Sequence, residues 1–285
     1  MIGFDAMPVA FCVGLGGLFG CLVGSFLNVA AHRLPAMVLA ECEGRSAGMS
    51  LALPASHCPA CETPLSWREN IPLVSYLLQG GRCRHCRSRI AWRYPALEAL
   101  GGVAGGYAVW RFGFGVEGAL LAIFLLALLT LAVIDLETRL LPDRITLPLA
   151  ALGLAIAGAG YGPSSGAALA GAALGYGLLT GLNQLARLTM GQDGMGGGDA
   201  KLAAALGAWL GPAPLIWALL LAFAGGAIFG VLLRAIGGGK AATAADGAPA
   251  GSIAFGPWLA VGGAVAAGAP ELVAAGASWL MTGGF

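Results

Sequence analysis

Two aspartates at the ends of apolar stretches are the residues whose type and placement best suit chemistry. Asp135 follows the uncharged run 118–134, and Asp199 precedes the uncharged run 202–233. Charged groups near bilayer depth are costly, so acids in such positions usually serve a function. Two carboxylates in one poorly solvated site cannot easily both ionise, and a pair that shares a proton can activate water for peptide hydrolysis. The placement therefore suggests a pair of catalytic acids.

Structural roles for these acids are equally consistent with charge placement alone. Asp135 can cap a helix or pair with Arg139, and Asp199 can pair with Lys201. The glycine-rich stretch 194–198 lets the backbone approach an extended peptide closely, as a protease requires. A glycine-rich loop before a helix can also bind phosphate. The Walker pattern is incomplete, however, because Asp-Ala-Lys stands where Gly-Lys-Ser/Thr is needed.

Four cysteines form two CxxC pairs that are separated by 21 residues. Two such pairs can close a tetrahedral Zn²⁺ site, and because all four ligands would come from the protein, that zinc would be structural. Disulfides are the alternative in an oxidising compartment. A thiol redox motif would need a βαβ scaffold, and the 63 residues from 32 to 94 that contain the four cysteines are hardly enough to supply one. The predicted zinc ligands are Cys58, Cys61, Cys83 and Cys86.

The amino-acid composition indicates whether these groups belong to a soluble protein or to a membrane protein. Hydrophobic residues make up 58% of the 285 and charged residues only 10%, whereas soluble domains carry roughly a quarter charged residues. A helix that crosses the hydrocarbon needs about 20 apolar residues, and long runs without alternation exclude a barrel. The uncharged runs are 6–31, 118–134, 145–186, 202–233 and 247–270. We expect an all-α polytopic membrane protein.

Turn signals divide these runs into about eight transmembrane helices. The breaks fall at the glycine-rich segment 158–166 and at Gly-Pro-Ala-Pro, residues 211–214. The predicted spans are 8–31, 95–111, 117–134, 145–158, 166–187, 200–211, 214–234 and 251–269. The sixth is short for a full crossing.

The spans imply four regions along the chain. Residues 1–31 form the first transmembrane helix, and residues 32–94 form a small cytosolic zinc-binding domain. Residues 95–270 form a transmembrane domain of about seven helices that carries both aspartates. Residues 271–285 are a tail. A segment as short as 32–94 cannot build a sufficient hydrophobic core by itself and needs an additional cross-link, which the metal would supply.

Basic residues orient the chain in the membrane. If residues 32–94 lie in the cytosol, every Lys and Arg except Arg111 falls on that side. Cytosolic loops carry an excess of Lys and Arg. This orientation also places Asp135 and Asp199 together at the cytosolic face, and it argues against disulfides.

Several short motifs accompany these residues in a fixed order. The motifs are GSFLNV at 24–29, HRLP at 32–35, WRENIP at 67–72, YPALE at 94–98, the segment 134–143 ending in LPD, GMGGGDAKL at 194–202 and FGP at 255–257. Together with the cysteines, they resemble the bacterial prepilin peptidases, also called type IV leader peptidases, which are GxGD-type aspartic proteases.

This resemblance implies specific roles. Asp135 matches the first catalytic aspartate and Asp199 the aspartate of the GxGD motif, while Asp143 and Glu98 match family positions to which we assign no chemistry. Members cleave the leader of prepilins and pseudopilins at the cytosolic side of the bacterial inner membrane. Many then methylate the new N-terminus with S-adenosylmethionine, and the long cytosolic domain resembles that of the bifunctional members. No residue is identified as binding S-adenosylmethionine, and no nucleic-acid partner is expected.

Two other classes of protein fit parts of the pattern. A proton-coupled transporter with a zinc-stapled cytosolic domain would place its acids near the bilayer midplane, whereas these acids lie at span ends. A non-enzymatic platform for pilus assembly would tolerate loss of both aspartates.

Overall fold

The computed structural model describes residues 7–191, 195–236 and 254–271, and this part of the chain is helical with no β-strand. The helices are α1 Val9–Cys42, α2 Val74–Leu78, α3 Arg93–Phe112, α4 Val116–Thr138, α5 Asp143–Gly158, α6 Ser165–Met190, α7 Gly197–Leu210, α8 Pro212–Ile236 and α9 Gly256–Gly268. Within the described residues, α1, α4, α6 and α8 are long and apolar enough to cross a membrane. The predicted fold class is confirmed.

The chain divides into two compact units, residues 1–130 and 131–285, with the boundary inside α4. Each predicted span has a counterpart among the helices. The predicted tail lies outside the described residues apart from its first residue, and so does the start of the predicted last span.

In the first unit, α1 runs eleven residues beyond the predicted end of the first span. Its 34 residues make about 51 Å of helix, more than the roughly 30 Å of hydrocarbon. The buried Arg33 guanidinium donates hydrogen bonds to the carbonyls of Ser50, Leu51 and Pro54. These bonds hold the following loop against α1, and the helix itself continues past residue 31, where hydropathy alone predicted a domain boundary.

Glycines bring α1 and α3 into close contact. A Cβ atom on Gly20 would lie 2.1 Å from the Gly101 carbonyl oxygen, and one on Gly105 would lie 2.4 Å from the Gly16 oxygen. Small residues at four-residue spacing permit such approach between membrane helices. The sequence pattern at Gly20/Gly24 and Gly101/Gly105 therefore has a packing explanation.

In the second unit, α7 is the central helix and contacts α5, α6, α8 and α9. Leu202 and Leu206 on α7 are fully buried. A Cβ on Gly171 of α6 would lie 2.3 Å from the Gly207 oxygen, and Trp209 donates a 2.8 Å hydrogen bond to the Leu149 carbonyl of α5. The 14 residues of α7 make only about 21 Å of helix, so its neighbours surround a helix too short to cross the bilayer by itself.

Candidate active site and metal centre

Asp135 lies one turn before the end of α4 and is 5% exposed. Beyond the helix end, Arg139 adopts a positive φ of 57° and its N–H donates to the Asp135 carbonyl oxygen. The side chain has a separate partner, because Oδ2 accepts a 2.9 Å hydrogen bond from the backbone N–H of Gly256. Its carboxylate is thus fixed by the start of α9.

Asp199 is the third residue of α7 and is 8% exposed. Its backbone N–H donates to the Gly196 carbonyl oxygen. The carboxyl groups of Asp199 and Asp135 interact electrostatically, although 64 residues separate them in sequence. The structure therefore brings the two predicted acids together inside the second unit, at the end of one helix and the start of another.

The glycines before Asp199 differ in their surroundings. A Cβ on Gly198 would lie 2.8 Å from the Cβ of Leu141, whereas one on Gly197 would meet nothing within 4 Å. The Met195 N–H donates a 3.0 Å hydrogen bond to Asn183 of α6. Gly194 lies outside the described residues. Close packing against the α4–α5 connection thus explains Gly198, a constraint that differs from the predicted approach of a substrate.

Lys201 does not pair with Asp199 in this arrangement. Its Nζ donates to both carboxylate oxygens of Asp143 at 2.7 Å. Asp143 is the first residue of α5, so the ion pair joins the start of α5 to the first turns of α7. Together with the contact between Leu141 and Gly198, it holds the α4–α5 connection against the segment that carries Asp199.

The four predicted metal ligands cluster in the first unit. The Sγ atoms of Cys58, Cys61, Cys83 and Cys86 lie within 4.8 Å of one another. The Sγ atoms of Cys58 and Cys86 are 3.8 Å apart, which equals the edge of about 3.8 Å for a tetrahedron with Zn–S bonds of 2.3 Å. These thiols can therefore hold one tetrahedral metal ion.

The two CxxC loops are built alike. In each, the first cysteine's N–H bonds to a carbonyl five residues later, and the residue after the second cysteine, Glu62 or Arg87, has a positive φ. Backbone N–H groups, that of Ala60 first, lower the pKa of Cys58 to about 6 despite its burial. The Ser88 hydroxyl lies 3.0 Å from the Cys86 Sγ and lowers the pKa of that thiol. Thiolate, the form that binds metal, is thus favoured at both positions.

Other polar residues and cysteines of the first unit have structural partners. His85 lies 3.5 Å from the Glu69 carboxylate, outside the cysteine cluster. Glu98 accepts a 2.8 Å hydrogen bond from the Leu73 N–H, which ties the loop before α2 to α3. Cys21 packs against Gly102, where an added Cβ would lie 2.5 Å from its Sγ.

A cavity of about 380 Å³ in the first unit is large enough for a small molecule. Its polar lining includes Ser25, Arg33, Ser56 and Asn70, and no acid lines it. S-adenosylmethionine carries an ammonium and a carboxylate. The cavity offers no carboxylate to the first, and three backbone carbonyls already occupy the Arg33 guanidinium. Within the described residues, this lining does not fit S-adenosylmethionine.

Comparison with known proteins places these features in a family. The model of the bacterial peptidase A24 N-terminal domain matches residues 18–112, and that of the type IV leader peptidase family matches residues 122–231. Relatives named prepilin leader peptidase/N-methyltransferase are similar along most of their length. The one from Stutzerimonas stutzeri is 39% identical over 91% of each chain, and the one from Pseudomonas aeruginosa is 41% identical over 87% of each.

A third relative of that name, from Neisseria gonorrhoeae, is 37% identical over 95% of this chain and 96% of its own. No solved structure is significantly similar to the chain. The chain belongs to the type IV leader peptidase family, which confirms the resemblance seen in its motifs. The relatives' names give no support to the transporter alternative.

The sequence did not identify Gly256 as part of the site. Its motif, Phe-Gly-Pro at 255–257, was noted for the resemblance alone. A backbone donor has no side-chain signature, so only the fold reveals that this residue contacts Asp135.

Proposed function

We propose that this chain is a membrane-embedded aspartic endopeptidase that removes the leader of type IV prepilins and pseudopilins, with Asp135 and Asp199 as its catalytic pair. The observation that carries the proposal is the burial of two interacting carboxyl groups at adjoining helix ends in a member of this family. The family relatives are also named as N-methyltransferases, and we assign methylation of the new N-terminus to this chain as well.

The chemistry follows from two carboxyl groups that share one proton. The ionised group takes a proton from water as its oxygen attacks the scissile carbonyl, and the other gives its proton to the carbonyl oxygen. Cleavage of the C–N bond then needs a proton on the leaving nitrogen, which the first carboxyl group returns. The apolar helix of the prepilin stays in the bilayer while its leader junction reaches the pair.

We assign structural Zn²⁺ to the cysteine cluster. Four thiols at tetrahedral spacing leave no open position for substrate or water. The ion would join the two CxxC loops and stabilise a segment with little core of its own. S-adenosylmethionine would supply the methyl group for methylation.

We also propose that the acids and the cysteine cluster face the cytosol across the bacterial inner membrane. The distribution of Lys and Arg supports this orientation. A cysteine introduced at Gly113, between α3 and α4, is then expected to react with a membrane-impermeant maleimide in intact spheroplasts. Labelling of that cysteine only after membrane disruption would indicate the opposite orientation of the chain.

The direct test of the proposed function uses the purified chain and a full-length prepilin in mixed micelles. Mass spectrometry should show loss of the leader, and labelled S-adenosylmethionine should add a methyl group to the new N-terminus. A prepilin that keeps its leader in the presence of well-folded protein would refute the proposal.

Gly198 offers a prediction about the geometry around Asp199. Because a Cβ there would collide with the Cβ of Leu141, Gly198→Ala should displace Asp199 and lower the rate of leader cleavage at least about tenfold. Gly197→Ala is the matched control, since its Cβ would meet nothing, and it should stay within about twofold of wild type. Initial cleavage rates at equal protein concentration distinguish the two. Equal losses in both variants would indicate that the glycines serve backbone freedom or substrate approach.

A further inference from the structure

The start of α9 makes a buried contact with Asp135. The Gly256 N–H donates to Asp135 Oδ2 at 2.9 Å, across 121 residues of sequence. Gly256 is the first residue of α9, and Pro257 follows it. The first N–H groups of a helix lack partners within the helix and carry the positive end of its dipole. Here one of those free donors is used by a carboxylate on another helix.

The carboxylate also determines the residue type at position 256. A Cβ there would lie 2.8 Å from Asp135 Oδ2, 3.0 Å from its Cγ and 3.1 Å from its Cβ. Three such close contacts cannot be relieved by rotating the end of the side chain, because one of them is with the Asp135 Cβ atom, which is attached to the backbone. Any residue larger than glycine must therefore move Asp135 or α9.

Aromatic packing fixes the position of this donor. Phe255 packs against Phe223 of α8 with tilted rings whose centroids are 4.9 Å apart, and the ring centroids of Trp258 and Phe229 are 5.5 Å apart. Trp258 also covers Gly225, where an added Cβ would lie 2.4 Å from the indole ring. Rings on both sides of Gly256 thus anchor the start of α9 to α8, and its N–H is held at a defined place.

We propose that Gly256 is a positioning residue for leader cleavage: its backbone N–H holds the Asp135 carboxylate in one orientation as the ionised base, and Asp199 carries the shared proton. The inference rests on the proposed function and deepens it. A hydrogen-bond donor favours the charged form of a carboxylate. Of the other charged groups, Arg139 also acts on Asp135, and Asp199 faces it with a carboxyl group.

During the reaction each carboxyl group passes one proton in each direction. Asp135 accepts a proton from water while the water oxygen bonds to the carbonyl carbon, and Asp199 donates its proton to the carbonyl oxygen. When the C–N bond breaks, Asp135 returns its proton to the nitrogen and a hydroxyl of the intermediate returns one to Asp199. The pair then regains its starting state, with Asp135 ionised.

Gly256→Ala tests the proposal in the full-length protein. We expect kcat for leader cleavage to fall about 100-fold with KM unchanged, because the displaced group acts on water and not on substrate binding. Methyl transfer to a pilin that was cleaved beforehand should keep its wild-type rate, which shows that the chain is folded. Gly181→Ala is the matched control, since a Cβ on this α6 glycine would meet nothing.

Cleavage by Gly256→Ala within twofold of wild type would overturn the proposal. So would a rise in KM at constant kcat, or a parallel loss of cleavage and methyl transfer, because the contact would then serve substrate binding or only the fold. If wild type and Gly181→Ala also fail to cleave while methyl transfer persists, the proposed peptidase function itself is wrong.

Discussion

Asp135→Asn and Asp199→Asn are each expected to lower the rate of leader cleavage about 10⁴-fold, the upper range for loss of a general acid or base. An amide keeps the shape of the side chain but can neither accept nor donate the shared proton. Both carboxyl groups are buried and interact, and the single carboxyl group that remains in either variant cannot serve as both acid and base. Processing of a labelled prepilin in membranes with equal amounts of each variant measures the effect.

Asp143→Asn is the matched control for these variants. Asp143 is an acid in the same segment as Asp135, but its carboxylate is paired with Lys201 at a half-exposed position. Such pairs contribute about 0–1 kcal/mol, so this variant should retain cleavage within about tenfold of wild type. A loss as large as that of Asp135→Asn would mean that the catalytic pair has been assigned to the wrong acids.

Replacing one cysteine in each CxxC loop, in Cys58→Ser/Cys83→Ser, is expected to abolish zinc binding and disorder the segment between α1 and α3. Structural zinc sites contribute roughly 10–16 kcal/mol of apparent binding free energy. The segment has little apolar core, since its exposed side chains include Trp67, Leu77 and Leu78. Zinc content by elemental analysis should fall from about one ion per chain to none.

Limited proteolysis completes this second test. The double variant should be cut rapidly within residues 43–92, while Cys42→Ser, which changes an exposed cysteine outside the cluster, should keep its zinc and its resistance. Loss of zinc without any gain in cleavage would show that the metal does not stabilise the segment. Full zinc content in the double variant would show that these cysteines are not its ligands.

The features that the sequence predicted follow from residue spacing or from the order of the predicted spans. The CxxC spacing predicted the thiol cluster because two-residue loops place thiolates side by side. Asp135 and Asp199 could be associated because alternating spans bring their helix ends to one face. Their catalytic role stays a prediction.

Other features depend on tertiary contacts that leave no pattern in the sequence. Hydropathy predicted that the first span ends at 31; it did not reveal that the α1 backbone continues to Cys42 or that a later loop packs on Arg33. Charge placement left open a pair between Lys201 and its neighbour Asp199, whereas in the fold the Lys201 ammonium pairs with Asp143 at the start of α5. Gly256 contributes a backbone N–H, which every residue except proline has.

The most direct test of the central claim compares two activities of one variant in a single reaction. Purified Asp199→Asn is given both a full-length prepilin and the same pilin cleaved beforehand, with labelled S-adenosylmethionine, and the pilin N-termini are analysed by mass spectrometry. The paired-acid account predicts that the full-length prepilin keeps its leader while the cleaved pilin is methylated. Removal of the leader by Asp199→Asn at the wild-type rate would contradict it.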